Sequence, residues 1–186
     1  MNQPQRNSSP TTLIPEADIR RRIGELARAI DRDHADTELL ICVGVLKGSV
    51  FFLTDLLKEL TVPVAVDFFQ TSSYRGATTP GEVRILKDVD LPLRDADVLL
   101  VEDIVDTGFT LRTVLDLMRF RGARSVKLCA LLDKPARRRV EVPIDYRGFE
   151  IDDVFVVGYG LDYAERYRNL PYVGVVKPQS GGGDEA

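Results

Sequence analysis

The run from Asp97 to Leu111, Asp-Val-Leu-Leu-Val-Glu-Asp-Ile-Val-Asp-Thr-Gly-Phe-Thr-Leu, constrains the fold of this chain more than any other stretch. Residues 97–101 are apolar and rich in β-branched side chains, the pattern of a central parallel strand. Across 110–121 apolar residues recur at helical spacing, at Leu111, Val114, Leu115 and Met118. The adjacent carboxylates Glu102 and Asp103 thus fall at the carboxyl end of a strand, where open α/β sheets bind ligands. The segment Asp106-Thr107-Gly108-Phe109-Thr110 then offers backbone N–H groups, hydroxyls and the positive end of a helix dipole to an anion. Carboxylates in turn suit ribose hydroxyls or a hard cation such as Mg²⁺. Asp-Thr-Gly alone reads as a turn that caps a helix. The whole run, with its third carboxylate three residues beyond the pair, points to a sugar-phosphate site.

The rest of the chain repeats the alternation. Pro15 opens a helix with Glu16 and Asp18 nearby and an apolar stripe of Ile19, Ile23, Leu26, Ala27 and Ile30 that marks it as amphipathic. Strands are predicted at 39–45, 64–69, 83–87 and 125–132, with a helix at 50–60. Alternating strands and helices predict an α/β fold, a central parallel sheet flanked by helices with right-handed crossovers. Residues 146–176 are more broken, with short strands near 154–157 and 172–176, and read as a small flap over the carboxyl edge. The 186 residues suit one domain, 14–178, between a flexible arm at 1–13 and a flexible tail at 179–186.

Composition narrows the classes. A net charge of -4 argues against a general nucleic-acid binder. Cys42 and Cys129 lie in apolar strand-like runs and read as buried thiols, not a disulfide or zinc framework, so a reducing cytoplasm is expected. No apolar run approaches the roughly 18 residues of a membrane span, so no membrane partner is expected. His34, the single histidine, lies in a polar stretch and is expected to be solvated; proton transfer must therefore use a carboxylate, lysine or tyrosine. Arg137-Arg138-Arg139 reads as a solvated basic face.

Other strand ends carry chemistry too. Gly48 would permit close backbone approach to an anion and Lys47 could supply charge, though a plain turn before a helix fits equally well. Residues 71–82 are too long and polar for a tight turn and read as a lid or a solvated hairpin tip. Lys134 alone reads as a surface lysine, and Phe155 as core.

Together, the acidic run, Leu131-Leu132-Asp133-Lys134-Pro135 and Phe155-Val156-Val157-Gly158-Tyr159-Gly160-Leu161-Asp162-Tyr163 resemble the type I phosphoribosyltransferases, in particular their hypoxanthine-guanine branch. The resemblance spans roughly residues 15–177. It implies a hood over the sheet and magnesium-dependent transfer of phosphoribosyl from phosphoribosyl pyrophosphate to a 6-oxopurine, a purine-salvage reaction, in a homo-oligomer. It further implies that Glu102 and Asp103 hold the ribose hydroxyls and magnesium, with Asp162 serving a second magnesium. Asp106 would accept the purine N7 proton, and Thr107, Gly108, Phe109 and Thr110 would cradle the 5′-phosphate. Lys47 and Gly48, in a loop that often carries a cis peptide, would contact pyrophosphate together with Arg168. Ser73 and Tyr74 would belong to a catalytic lid. Lys134 would hydrogen-bond the purine O6, Phe155 stack on the base, and Val156 meet its edge through the backbone. Phe109 departs from the family, which often has a polar or basic residue there. Without the resemblance, Asp162 and Arg168 read as a surface ion pair.

Two other readings share fragments of these motifs. A pyrimidine-operon RNA-binding regulator with uracil phosphoribosyltransferase activity shares the sugar-phosphate run, but is not expected to carry Leu-Asp-Lys-Pro followed by Phe-Val-Val-Gly-Tyr. An aspartic protease shares hydrophobic-Asp-Thr-Gly, but a helix following that loop contradicts an all-β protease.

Overall fold

Apolar runs and amphipathic stripes alternate in the computed structural model much as their periodicity dictates. The structure describes residues 9–73 and 83–176. In chain order the elements are β1 (Thr11–Ile14), α1 (Glu16–Asp33), β2 (Leu40–Leu46), α2 (Val50–Glu59), β3 (Val64–Ser73) and β4 (Val83–Lys87). They continue with β5 (Asp97–Val105), α3 (Phe109–Phe120), β6 (Ser125–Asp133), β7 (Tyr146–Glu150), β8 (Val156–Val157) and β9 (Val173–Val175).

A six-stranded sheet of order β4-β3-β2-β5-β6-β7 forms the centre. All its neighbours are parallel except the β3–β4 pair at the edge. Because successive side chains of a strand point to opposite faces, each central strand feeds two cores. Leu40, Cys42, Leu99, Val101, Cys129 and Leu131 pack with α1 and α2 on one face. Ile41, Val43, Val45, Val98, Leu100 and Leu128 pack with the Leu111, Val114, Leu115 and Met118 stripe of α3 on the other. Both cysteines are buried free thiols, and burial pushes Cys42 up to about 12.

A second sheet, β1-β9-β8, forms the hood. Ile14, Val156, Tyr159, Leu161 and Val173 join the same core as α1 and α2, so the hood is packed onto the main body. Its first strand falls partly inside the expected arm: Thr11 pairs with Val175 and Thr12 with Gly174.

Several boundaries move for identifiable reasons. β5 runs to Val105 because Glu102, Ile104 and Val105 keep pairing with Ala130, Leu132 and Asp133. The acidic pair therefore lies within the strand's last residues, not after them. β3 likewise extends through Ser73 by pairing with β4. Residues 146–150, expected to belong to the flap region, instead form the parallel edge strand β7, which lies so close to β6 that a Cβ on Gly148 would fall 2.2 Å from the Leu131 carbonyl oxygen. His34 is not solvated but only 4% exposed. It caps α1 through its backbone N–H to Ile30, and its Nδ1 lies 3.4 Å from Thr37, which donates to Asp97. Among the described residues no helix is long and apolar enough to cross a membrane.

Candidate active site

The sheet order reverses between β2 and β5, since the chain leaves β2 toward β3 and returns to β2's other side with β5. Ligands in open α/β sheets bind beyond the carboxyl ends at such a switch point. Here those ends carry Lys47-Gly48 and Glu102-Asp103.

Glycine is obligatory where these segments meet. A Cβ on Gly48 would fall 1.6 Å from Asp103 Oδ2, and one on Gly160 of the hood, with φ +101°, would fall 1.9 Å from the Gly48 carbonyl oxygen. The β2 loop, the end of β5 and the hood therefore touch at one point. The peptide between Leu46 and Lys47 is cis. Lys47 itself reaches the hood, with Nζ 3.2 Å from Glu165 Oε2.

The acidic pair is held under electrostatic load. Glu102 Oε2 is buried with no hydrogen-bond donor, and desolvation, reinforced by Asp103, pushes this carboxyl well above the usual range. Desolvation likewise raises Asp103 to about 6; Asp162 adds to the rise, while the Ile104 N–H, 2.8 Å from Oδ1, and Arg168 oppose it. A buried carboxylate with spare acceptor capacity is costly until a donor or cation arrives. Opposite, Arg168 Nη2 lies 2.7 Å from Asp162 Oδ1 and its Nη1 donates to the Gly160 carbonyl at 2.7 Å, while its buried Nε has no acceptor. Asp162 and Arg168 are thus a hood pair facing the acidic end of β5, rather than an unrelated surface contact.

The loop after β5 is shaped for an anion. Gly108 has φ +91°, and a Cβ there would fall 2.4 Å from the Val140 carbonyl oxygen. Thr107 accepts from the N–H groups of Arg139 and Val140, at 2.9 and 3.1 Å, which pins the loop from behind. α3 begins at Phe109, one residue earlier than expected, with no side-chain cap, so the first-turn N–H groups have no intrahelical acceptors. Phe109 is 36% exposed and packs outside the apolar stripe of its helix.

Beside this loop lies a second cluster. Lys134, expected from its residue type to be exposed, is 6% exposed; its N–H donates to the Val105 carbonyl at 3.0 Å and its Nζ to the Val154 carbonyl at 2.5 Å. Next to Val154, Phe155 is not core but 49% exposed, meeting Tyr163 edge to face with centroids 5.6 Å apart, while Val156 is buried. Arg137 Nε lies 2.8 Å from Asp106 Oδ1. Arg138, 13% exposed in its side chain, pairs with Asp133 and donates to the Asp106 carbonyl at 3.1 Å. The expected solvated arginine face is thus in large part a set of struts. Sequence reasoning missed these residues, although Pro135, which starts the 3-10 turn Pro135–Arg137 directly after Lys134, turns the chain back toward the loop.

The structure brings together Lys47, Gly48, Glu102, Asp103, Asp162 and Arg168, and beside them Asp106, Thr107, Gly108, Lys134, Phe155 and Val156. Ser73 ends β3 at the same sheet edge; its side chain and Tyr74 lie outside the described residues.

Residues 15–164 match the phosphoribosyl transferase domain family. The chain is 51% identical over 166 residues to the hypoxanthine phosphoribosyltransferase of Salmonella typhimurium, covering 88% of this chain and 93% of that protein. Over 179 residues, 96% of this chain, it is 48% identical to the bifunctional protein TilS/HprT of Listeria monocytogenes, of which it spans 28%. A crystal structure of a hypoxanthine-guanine phosphoribosyltransferase from Bacillus anthracis superposes with a TM-score of 0.86 at 43% identity, covering 89% of this chain and 98% of that one.

Proposed function

The chain belongs to the phosphoribosyl transferase domain family, and on that premise we propose that it transfers 5-phosphoribosyl from phosphoribosyl pyrophosphate to hypoxanthine or guanine, yielding IMP or GMP and pyrophosphate in purine salvage. The observation that carries the proposal is the three-way contact of Gly48, Asp103 and Gly160, which sets a desolvated acidic pair beside an anion-shaped loop.

The reaction displaces pyrophosphate from C1 of ribose through an oxocarbenium-like centre. The protein must hold the sugar, neutralise the leaving group and receive one purine proton. Glu102 and Asp103 accept from the ribose hydroxyls, which supply the donors that the buried Glu102 Oε2 lacks. The N–H groups and hydroxyls of Thr107, Gly108, Phe109 and Thr110 take the 5′-phosphate; since the backbone makes these contacts, Phe109 does not disqualify the loop. Lys47, Gly48 and Arg168 receive the pyrophosphate. Asp106 accepts the N7 proton, Lys134 donates to O6, Phe155 stacks on the base, and the Val156 backbone meets its edge. Ser73 and Tyr74 are assigned to closure of the site by the family resemblance alone.

Among the described residues no three carboxylate, histidine or cysteine side chains converge as a ready-made metal cage. That donor set fits Mg²⁺, which typically uses one or two carboxylates and completes its shell with substrate oxygens and water. Glu102 and Asp103 would hold one ion and Asp162 would serve a second, and when bound these ions would neutralise charge on the sugar diphosphate. We assign the work to a homo-oligomer in the cytoplasm; Val66, Ile85 and Leu86 on β3 and β4 stand 43%, 43% and 52% exposed, apolar surface suited to a second copy. The uracil-linked regulator gains no support from the relatives, which are named for hypoxanthine.

Steady-state rates with hypoxanthine, guanine, adenine and uracil, with and without Mg²⁺, test the reading. Adenine presents an amino group where Lys134 needs an acceptor, so it should be disfavoured by about 10⁴-fold, as expected for a site built to pair one polar group. Lys134→Gln should narrow the guanine-over-adenine ratio. Comparable turnover of adenine, or full turnover without a divalent ion, would refute the assignment.

A further inference from the structure

We propose that Arg137 is a positioning residue for Asp106: it holds the carboxylate in place by charge while leaving it free to accept the purine proton. The inference rests on the reading of Asp106 as proton acceptor. Arg137 Nε approaches Asp106 Oδ1 to 2.8 Å, yet the same buried oxygen has no hydrogen-bond donor aligned with it. The contact is therefore Coulombic rather than directional. It compensates the charge of Asp106 at this one buried oxygen, so the second carboxylate oxygen is left to an incoming N–H. A directed, bidentate arginine would instead compete with the substrate for that second oxygen.

The second arm of Arg137 points the same way. Its Nη1 lies 3.6 Å from Asp153, the residue before the Val154 whose carbonyl accepts from Lys134. One guanidinium thus spans the proton acceptor and the hood segment that leads to Phe155 and Val156. Arg138 acts on the main chain instead, since it is anchored on Asp133 and donates to the backbone carbonyl of Asp106. The main chain and the side chain of Asp106 are therefore set by two successive arginines. Arg137 keeps 47% of its side chain exposed, and its backbone N–H to Lys134 survives any side-chain replacement, so the role is separable from folding.

The test is single-turnover nucleotide formation from hypoxanthine and phosphoribosyl pyrophosphate with Mg²⁺, in the variants Arg137→Gln, Arg137→Lys, Asp106→Asn and the double Asp106→Asn/Arg137→Gln. Arg137→Gln should slow the chemical step by up to about 10²-fold, the cost of a misplaced catalytic group, with the KM for phosphoribosyl pyrophosphate unchanged. Arg137→Lys should recover most of the rate, because a point charge suffices. In the Asp106→Asn background Arg137→Gln should add no further loss, because residues acting through one group are not additive. An unchanged rate in Arg137→Gln, a rate loss matched by a rise in KM, failure of lysine to rescue, or a further loss when Arg137→Gln is added to Asp106→Asn would overturn the inference. Should Asp106→Asn itself react at the wild-type rate, the reading of Asp106 falls and this inference with it. A slow Asp106→Asn beside a fast Arg137→Gln would retain that reading and remove Arg137 alone.

Discussion

Asp103 is a carboxylate that the fold holds against its own preference. Desolvation lifts it to about 6 from the ordinary value of 3.8, so its ionised form destabilises the ligand-free protein. The sign follows from linkage: a folded-state value above the unfolded one means that the cost is absent below about pH 4 and complete once pH passes 6. Asp103→Asn keeps an oxygen for the Ile104 N–H and removes the charge. In chelator-treated protein it should raise the thermal midpoint at pH 8, by a margin that shrinks toward pH 4, while weakening binding of phosphoribosyl pyrophosphate with Mg²⁺. Calorimetry at the two pH values together with ligand titration checks both halves; an unchanged or lowered midpoint at pH 8 would contradict the desolvation argument. The residue that weakens the resting protein is the one proposed to hold the sugar.

Among the elements, the hood is tied to the body by buried apolar side chains and by specific polar contacts. Tyr159 Oη donates to Asp55 Oδ2 of α2 at 2.7 Å, and the tyrosine ring also packs at 6.4 Å, centroid to centroid, from Phe51. Tyr159→Phe keeps the ring and loses the hydrogen bond. It should cost about 1 kcal/mol in urea unfolding, a modest figure because Asp55 is half exposed and can turn to water. An unchanged unfolding midpoint would mean that packing alone holds the hood. How far each element was legible depended on whether its signal was local. α1 and α3 bury the apolar positions that their spacing predicted, and β2, β5 and β6 are sustained apolar runs. β1 and β7 owe their existence to partners far along the chain, Val175 for Thr11 and Cys129 for Tyr146, and nothing in four or five polar-rich residues announces that pairing. The site divides in the same way. Glu102, Asp103 and the Thr107–Gly108 turn stand out because strand, acids and loop are contiguous, whereas the burial of Lys134 and the engagement of Arg137 arise only when β6 and its following turn meet the hood and the β5 loop.

The molecule as a whole has one histidine, and its burial sets the mild-acid behaviour. Desolvation, helped by Lys127 and opposed by Asp97, Asp33 and Asp145, holds His34 below its ordinary value of 6.5. The unfolded chain therefore takes up a proton that the folded one resists, so the contribution of His34 to stability is complete above about pH 6.5 and falls as the pH drops below it. Asp97, held far below the usual carboxylate range chiefly by Arg124, with help from Ser125 and Thr37 against desolvation, gives way only in stronger acid. Between pH 7 and 5.5 the wild type should thus lose stability relative to His34→Gln, a difference that also cancels the opposite trend from Asp103. Chemical denaturation of both proteins across that range decides it, and parallel curves would refute it. A different consequence follows from the register that pairs Thr11 with Val175. On the ribosome every strand of the six-stranded sheet has been made once Glu150 is joined, whereas the hood sheet that contains Val156 waits for β9. The nascent chain has made its central sheet before the hood that completes one of its two cores, so a prematurely ended chain would have the sheet but lack the segment proposed to hold the base.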